Sequence, residues 1–185
     1  MTLLADDIQE ILIEEATLQQ KISEMAAQIN RDYAGREIRM VGVLKGATMF
    51  MMDLARQLNG PLMLDFMAVS SYGASTHSSG IVRIVKDLDM SIEGKDVLLV
   101  EDIVDSGLTL TYLIEYLQAR NPASLNLCVL LNKPERRHPG VTLRPNYLGF
   151  DIPDKFVVGY GLDFAELYRN LPFIGILKPE KYLHS

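Results

Sequence analysis

Cysteine is nearly missing from this chain: Cys128 stands alone among 185 residues. One thiol cannot close an intrachain disulfide or build a cysteine-based zinc site, and its scarcity suits a reducing compartment. Histidine is almost as scarce, and His77, His138 and His184 are too dispersed to form a triad or a metal pair. Positive charge is also short: 18 Lys and Arg face 24 Asp and Glu, a formal net charge of −6. That excludes the broad basic footprint of a non-specific nucleic-acid binder. No apolar run approaches membrane-spanning length, and the first residues, MTLLADDIQE, carry acid where a signal peptide carries base. A Walker A motif is absent, because Gly-Lys-Ser/Thr occurs nowhere. These absences lead to the expectation of an acidic cytoplasmic protein with no membrane and no nucleic acid among its partners.

What is present is an ordinary globular composition, 48% hydrophobic and 23% charged, long enough to bury a core without staples. No repeat or low-complexity tract divides it, so residues 1–185 are expected to form a single domain. Leu18, Ile22, Met25, Ala26, Ile29 and Tyr33 recur at helical spacing, with Gly35 just past the end. Strands are expected at 11–13, 40–44, 62–69, 81–85, 97–100, 125–131 and 156–160. Further helices are expected from Met51 to about Asn59 and over 108–117. Residues 70–80 (SSYGASTHSSG) have the composition of a loop. Strands alternating with helices argue for an α/β fold, a mostly parallel sheet with helices on both faces. Ligands in such folds sit beyond the carboxyl ends of the strands, which directs attention to the loops after Leu44, Val100 and Leu131.

The most informative segment is 97–110, VLLVEDIVDSGLTL. An apolar strand runs into adjacent carboxylates, Glu101 and Asp102. Then come Asp105, Ser106, Gly107 and Thr109 at the start of a helix. Gly107 permits a tight turn, and the free amides of a helix start form an anion site. The carboxylates can accept hydrogen bonds from sugar hydroxyls or help hold a divalent cation, and Asp105 is placed to act as a general base. The alternative is structural: Asp105 and Ser106 cap the helix, and the acids form a solvated loop. On residue chemistry alone the segment reads as a phosphate-and-diol site.

This segment resembles the phosphoribosyl-pyrophosphate (PRPP) signature of the type I purine/pyrimidine phosphoribosyltransferases. Four further stretches match in order: Leu44-Lys45-Gly46, Ser70-Ser71-Tyr72-Gly73, Asn132-Lys133-Pro134, and the run from Pro153 to Asp163. The flanks match the branch of that family that acts on 6-oxopurines, in its short bacterial form. The resemblance implies a Rossmann-like sheet with a small hood, formed from the N-terminal segment and residues 140–185, and a mobile loop at about 70–85. It implies magnesium-dependent transfer of the 5-phosphoribosyl group from PRPP to hypoxanthine, and to guanine, giving IMP or GMP and pyrophosphate. It also implies a homodimer or homotetramer.

Roles follow from the same resemblance. Glu101 and Asp102 would engage the ribose hydroxyls and metal, and Asp105 would accept a proton from the purine. Asp105, Ser106, Gly107, Leu108 and Thr109 would cradle the 5′-phosphate. Lys45 and Gly46, after a cis peptide between Leu44 and Lys45, would bind pyrophosphate with Arg169. Lys133 would read the 6-oxo group, which a donor-only ammonium suits. Phe156 would stack on the purine, the Val157 backbone would complete base recognition, and Asp163 would help hold magnesium. Ser71 and Tyr72 would belong to a lid. Read without the family, Lys45 and Lys133 are surface charges, Phe156 is core, and the lid is a disordered loop. A nucleotide-sensing regulator on the same fold is the competing class, and net charge −6 with no added DNA-binding domain weighs against it. The sequence does not rank hypoxanthine against guanine or xanthine.

Overall fold

The computed structural model describes residues 4–71 and 82–183, the side chain of Ser71 excepted. In chain order the elements are β1 (Ile8–Ile13), α1 (Glu15–Asp32), β2 (Ile38–Leu44), α2 (Thr48–Ala55), β3 (Leu62–Ser71) and β4 (Val82–Lys86). They continue with β5 (Asp96–Val104), α3 (Leu108–Gln118), β6 (Ser124–Asn132), β7 (Tyr147–Asp151), β8 (Val157–Val158) and β9 (Ile174–Leu177). Six strands form one sheet in the order β4-β3-β2-β5-β6-β7. All its pairings are parallel except β3 with β4. A second sheet, β1-β9-β8, is antiparallel.

The central strands are apolar throughout because both faces are covered, as parallel sheets require. Alternation assigns each residue a side. Met40, Leu98, Val100, Cys128 and Leu130 pack against α1 and α2, while Val41, Val43, Val97, Leu99 and Val129 pack with Leu110, Leu113 and Leu117 of α3. Helix α1 buries Leu18, Ile22, Met25, Ala26 and Ile29, the stripe expected from their spacing. The Cys128 thiol is free and buried, and burial pushes its pKa well up, so it is a poor nucleophile.

Several boundaries differ from expectation for physical reasons. Helix α2 ends at Ala55 rather than near Asn59, and Asn30 of α1 is the cause. Its amide donates to the Gln57 carbonyl at 3.0 Å and its oxygen accepts from the Asn59 N–H at 2.9 Å. Strand β5 runs four residues past Val100, because its ladder with β6 persists to Val104 opposite Asn132. Glu101 and Asp102 are therefore in the strand, not the loop after it. The strand expected at 156–160 shrinks to Val157–Val158, where positive φ at Gly159, Tyr160 and Gly161 turns the chain away. Strands β7 and β9 were not anticipated. Since β7 pairs with β6 in the large sheet, the stretch 147–151 stands apart from the small sheet, although the expected hood included it.

The pairing of β2 with β5 ends at Gly42 opposite Val100, whereas β5 stays paired with β6 beyond it. Past Val100, β5 is thus free on one side. The crevice so opened lies at the carboxyl ends of β2, β5 and β6, and the small sheet contributes Val157 to its lining, in the place the resemblance gives to the hood.

Candidate active site

Three loops and the hood supply the side chains. From β5 and its loop to α3 come Glu101, Asp102 and residues 105–109. Gly107 precedes α3 with φ of 80°, a left-handed conformation that side chains resist. The hydroxyl of Ser106 accepts from the Leu108 N–H at 3.4 Å, a loose cap. The amides of Leu108, Thr109 and Leu110 open the helix without intrahelical acceptors, the arrangement that binds anions. Asp105 does something else. Its Oδ1 lies 3.4 Å from Lys133 Nζ, and the Asp105 side chain is half exposed while that of Lys133 is only 9% exposed. The structural alternative is thus met by Ser106 in part, while Asp105 faces a buried ammonium.

Two cavities meet here. One, of about 410 Å³, is lined by Ile103, Asp105, Lys133, Phe156, Val157 and Leu162 among others. The other, of about 230 Å³, is lined by residues between Glu101 and Leu110, including Ser106, Gly107 and Thr109. Ile103 and Asp105 border both. The first is partly apolar, with the aromatics Phe156 and Tyr182, the cations Lys133, Arg136 and Lys155, and the carboxylates Asp105 and Asp154. The second is a cradle of helix-start amides and hydroxyls. Within the first, Phe156 is stacked on Tyr182 at 4.8 Å between ring centroids and meets Phe164 edge-on. Tyr182 was not singled out by the sequence, and only its stacking on Phe156 brings it to the cavity wall.

The carboxylates at the end of β5 are electrostatically costly. Burial pushes Glu101 well up from the usual range, and repulsion from Asp102 adds to it. Burial also pushes Asp102 up to about 6, against which its bond to the Ile103 amide and the charge of Arg169 act. Such a pair is short of positive charge, and it offers only hard oxygen donors.

The loop after β2 closes the other side. The Leu44–Lys45 peptide is cis, as the resemblance implied. Gly46 is pressed between two neighbours: a Cβ there would sit 1.7 Å from Asp102 Oδ2, and a Cβ on Gly161 would sit 2.1 Å from the Gly46 carbonyl oxygen. No other residue type fits either position. From the hood, Arg169 Nη1 donates to the Gly161 carbonyl at 2.8 Å, and Arg169 Nη2 lies 2.9 Å from Asp163 Oδ1. Lys45 and Arg169 also share Glu166, at 2.9 and 3.4 Å.

The structure thus brings Lys45, Gly46, Glu101, Asp102, residues 105–109, Lys133, Phe156, Val157, Asp163 and Arg169 around one crevice. Ser71 is placed only by its backbone at the end of β3, and Tyr72 lies outside the described residues. Besides Tyr182, two residues beyond the expected set stand close by. One is Glu166. The other is Arg137, whose Nη1 is buried without a hydrogen-bond partner and would touch a Cβ on Gly107 at 2.6 Å. Arg137 lies in the stretch after Lys133 that carries no motif, so only the fold brings it to the loop.

A mostly parallel α/β sheet with a helix-start cradle suited to an anion, a buried acidic pair and an adjoining cavity at the strand ends is the arrangement of an α/β domain built to hold an anionic ligand. The chain belongs to the phosphoribosyl transferase domain family, whose model matches residues 9–165. It is 49% identical over 180 residues to the hypoxanthine-guanine phosphoribosyltransferase of Bacillus subtilis, covering 97% of this chain and 99% of that one. It is 54% identical over 177 residues to the bifunctional protein TilS/HprT of Listeria innocua, covering 96% of this chain. It spans only 27% of the length of that protein. A crystal structure of a hypoxanthine phosphoribosyltransferase from Staphylococcus aureus superposes with a TM-score of 0.93 at 49% identity, covering 98% and 97% of the two chains.

Proposed function

We propose that the protein is a purine-salvage enzyme that transfers the 5-phosphoribosyl group of PRPP to hypoxanthine or guanine, giving IMP or GMP and pyrophosphate. The observation that carries this reading is Asp105, on the shared wall of the two cavities and 3.4 Å from the buried ammonium of Lys133. A base in the larger cavity and a 5′-phosphate in the cradle would place the new bond between them, beside that carboxylate.

In this reading Lys133 donates to the 6-oxo group. Adenine presents an amine there, so two donors would face each other in a buried site, which is strongly disfavoured. Phe156 and the Val157 backbone hold the ring. Asp105 takes the ring proton as the purine nitrogen attacks the anomeric carbon. The amides at 106–109 fix the phosphate, and Glu101 and Asp102 accept from the ribose hydroxyls. Lys45 and Arg169 receive the negative charge that grows on departing pyrophosphate. Ser71 and Tyr72 belong to the segment assigned the role of lid.

Magnesium fits the donors present. They are carboxylates, hard oxygen donors that suit an ion which keeps waters and takes oxygens from substrate phosphates. Glu101, Asp102 and Asp163 would hold it, and bound with PRPP it supplies neutralisation of pyrophosphate charge. No helix among the described residues is long and apolar enough to cross a membrane. We place the protein in the cytoplasm, which the free buried thiol of Cys128 supports. Assembly into a homodimer or homotetramer belongs to the same reading. Incubation with PRPP, magnesium and each of hypoxanthine, guanine, xanthine and adenine tests the activity. IMP and GMP should form, AMP should not, and absence of any nucleotide refutes the reading.

A further inference from the structure

Glu166 has no part in the scheme above, yet it sits at its centre. One oxygen, Oε2, lies 2.9 Å from Lys45 Nζ and 3.4 Å from Arg169 Nη2. These are the two cations assigned to pyrophosphate. Arg169 is also paired with Asp163 at 2.9 Å. Each of the two cations is therefore already in contact with a carboxylate before any substrate enters. Asp163 has a further use, as an oxygen donor for magnesium. Glu166 does not.

The local geometry makes the Glu166 side chain displaceable. Its backbone is held, since the Glu166 N–H donates to Asp163 Oδ2 at 2.9 Å and φ is positive at both Ala165 and Glu166. Its side chain is not: it is 63% exposed, and so is 65% of Lys45. Exposed ion pairs contribute little to folding, so fold stability does not account for this contact. A carboxylate bridging two cations is, chemically, an anion occupying an anion site.

We propose that Glu166 is a built-in competitor for the pyrophosphate moiety. It holds Lys45 and Arg169 when the subsite is empty, swings into solvent when PRPP binds, and returns as pyrophosphate leaves. The consequence is weaker pyrophosphate retention than the same two cations alone would give, which favours product release over rebinding. Glu166 is on this account a positioning residue that sets affinity and touches no reacting atom. The inference rests on the assignment of Lys45 and Arg169 to pyrophosphate.

The test is Glu166→Gln, which keeps size and removes charge. A unit charge removed from this solvated subsite changes anion affinity by about three- to tenfold. At saturating magnesium, the inhibition constant of pyrophosphate and the KM of PRPP should both fall by that factor. The KM of the purine and the melting temperature should not change, and the difference should shrink as salt rises. Glu166→Asp keeps the charge with a shorter reach, and should lie between the two proteins. It keeps the test alive if the glutamine variant does not fold. Pyrophosphate affinity that is unchanged or weaker in both variants overturns the inference, and weaker binding would assign Glu166 to metal support instead. A parent protein that forms no nucleotide from any purine sinks the functional reading. A parent that does, with variants that bind pyrophosphate as it does, sinks only the inference.

Discussion

In the proposed reaction Asp105 and Lys133 form the pair on which the chemistry turns, and each makes a distinct prediction. Asp105→Asn preserves shape and removes basicity. Turnover should fall by about 10²- to 10⁴-fold, while PRPP affinity, set by the amides at 106–109 and by Lys45, changes little. Steady-state kinetics beside equilibrium binding checks this, and equal losses in both would refute a general-base role. Lys133→Ala removes the buried donor and leaves Asp105 facing the cavity without its cation at 3.4 Å. Selectivity for hypoxanthine over adenine should drop by about tenfold or more in competition assays, since a donor matched to a substrate oxygen is a strong discriminator. Asp105 was legible from the turn chemistry around it, Lys133 only through the family resemblance. Glu166 and Arg137 were not, because their significance lies in neighbours brought by the fold, Lys45 and Arg169 for one, the loop at Gly107 for the other.

Elements differed in how plainly the sequence announced them. Helices α1 and α3 carry periodicity and turn chemistry of their own and were read nearly as found, whereas β5 runs four residues past its expected end. Strands β7 and β9 carry neither. Each has five residues or fewer, and each is a strand only because β6 or β1 lies alongside. Between elements, the loop after β2 is fixed by contact rather than propensity. A Cβ on Gly46 would overlap Asp102 Oδ2 at 1.7 Å. Gly46→Ala should therefore raise the KM of PRPP while leaving that of the purine unchanged. A second link joins the segment after β4 to α3. Burial of Asp87 opposes its charge, but Arg120, Tyr116 at 2.7 Å and the Leu88 amide together hold its pKa below the usual 3.8. A depressed carboxylate stabilises the fold above its unfolded value and loses that contribution as pH falls through the folded one. Asp87 is 40% exposed, so Asp87→Asn should cost only about 0.5–1 kcal/mol at neutral pH. Urea midpoints should show that gap closing below about pH 4.

At the scale of the molecule, the site exists only where hood and sheet meet, because Asp163, Arg169 and Phe156 come from one and Asp102, Asp105 and Lys133 from the other. What fastens them is specific. The Tyr160 hydroxyl donates to Asp53 of α2, which also accepts from Gln19 of α1 at 2.9 Å. Tyr160 is 6% exposed, and burial together with the Asp53 bond pushes its pKa far up, so it remains a neutral donor at all working pH values. Tyr160→Phe keeps the ring and deletes the donor, leaving the Asp53 carboxylate short of one partner. The loss should be about 1–2 kcal/mol, read as a melting temperature lower by about 2–8 °C. The transition should stay single, since Gly46 and Gly161 remain in contact across the same boundary. Transfer should weaken through the KM of PRPP, whose pyrophosphate end in the proposed reading depends on Arg169 and on Lys45, in the loop after β2, keeping their spacing. A variant with an unchanged melting temperature and unchanged PRPP affinity would show that the hood is held by packing alone.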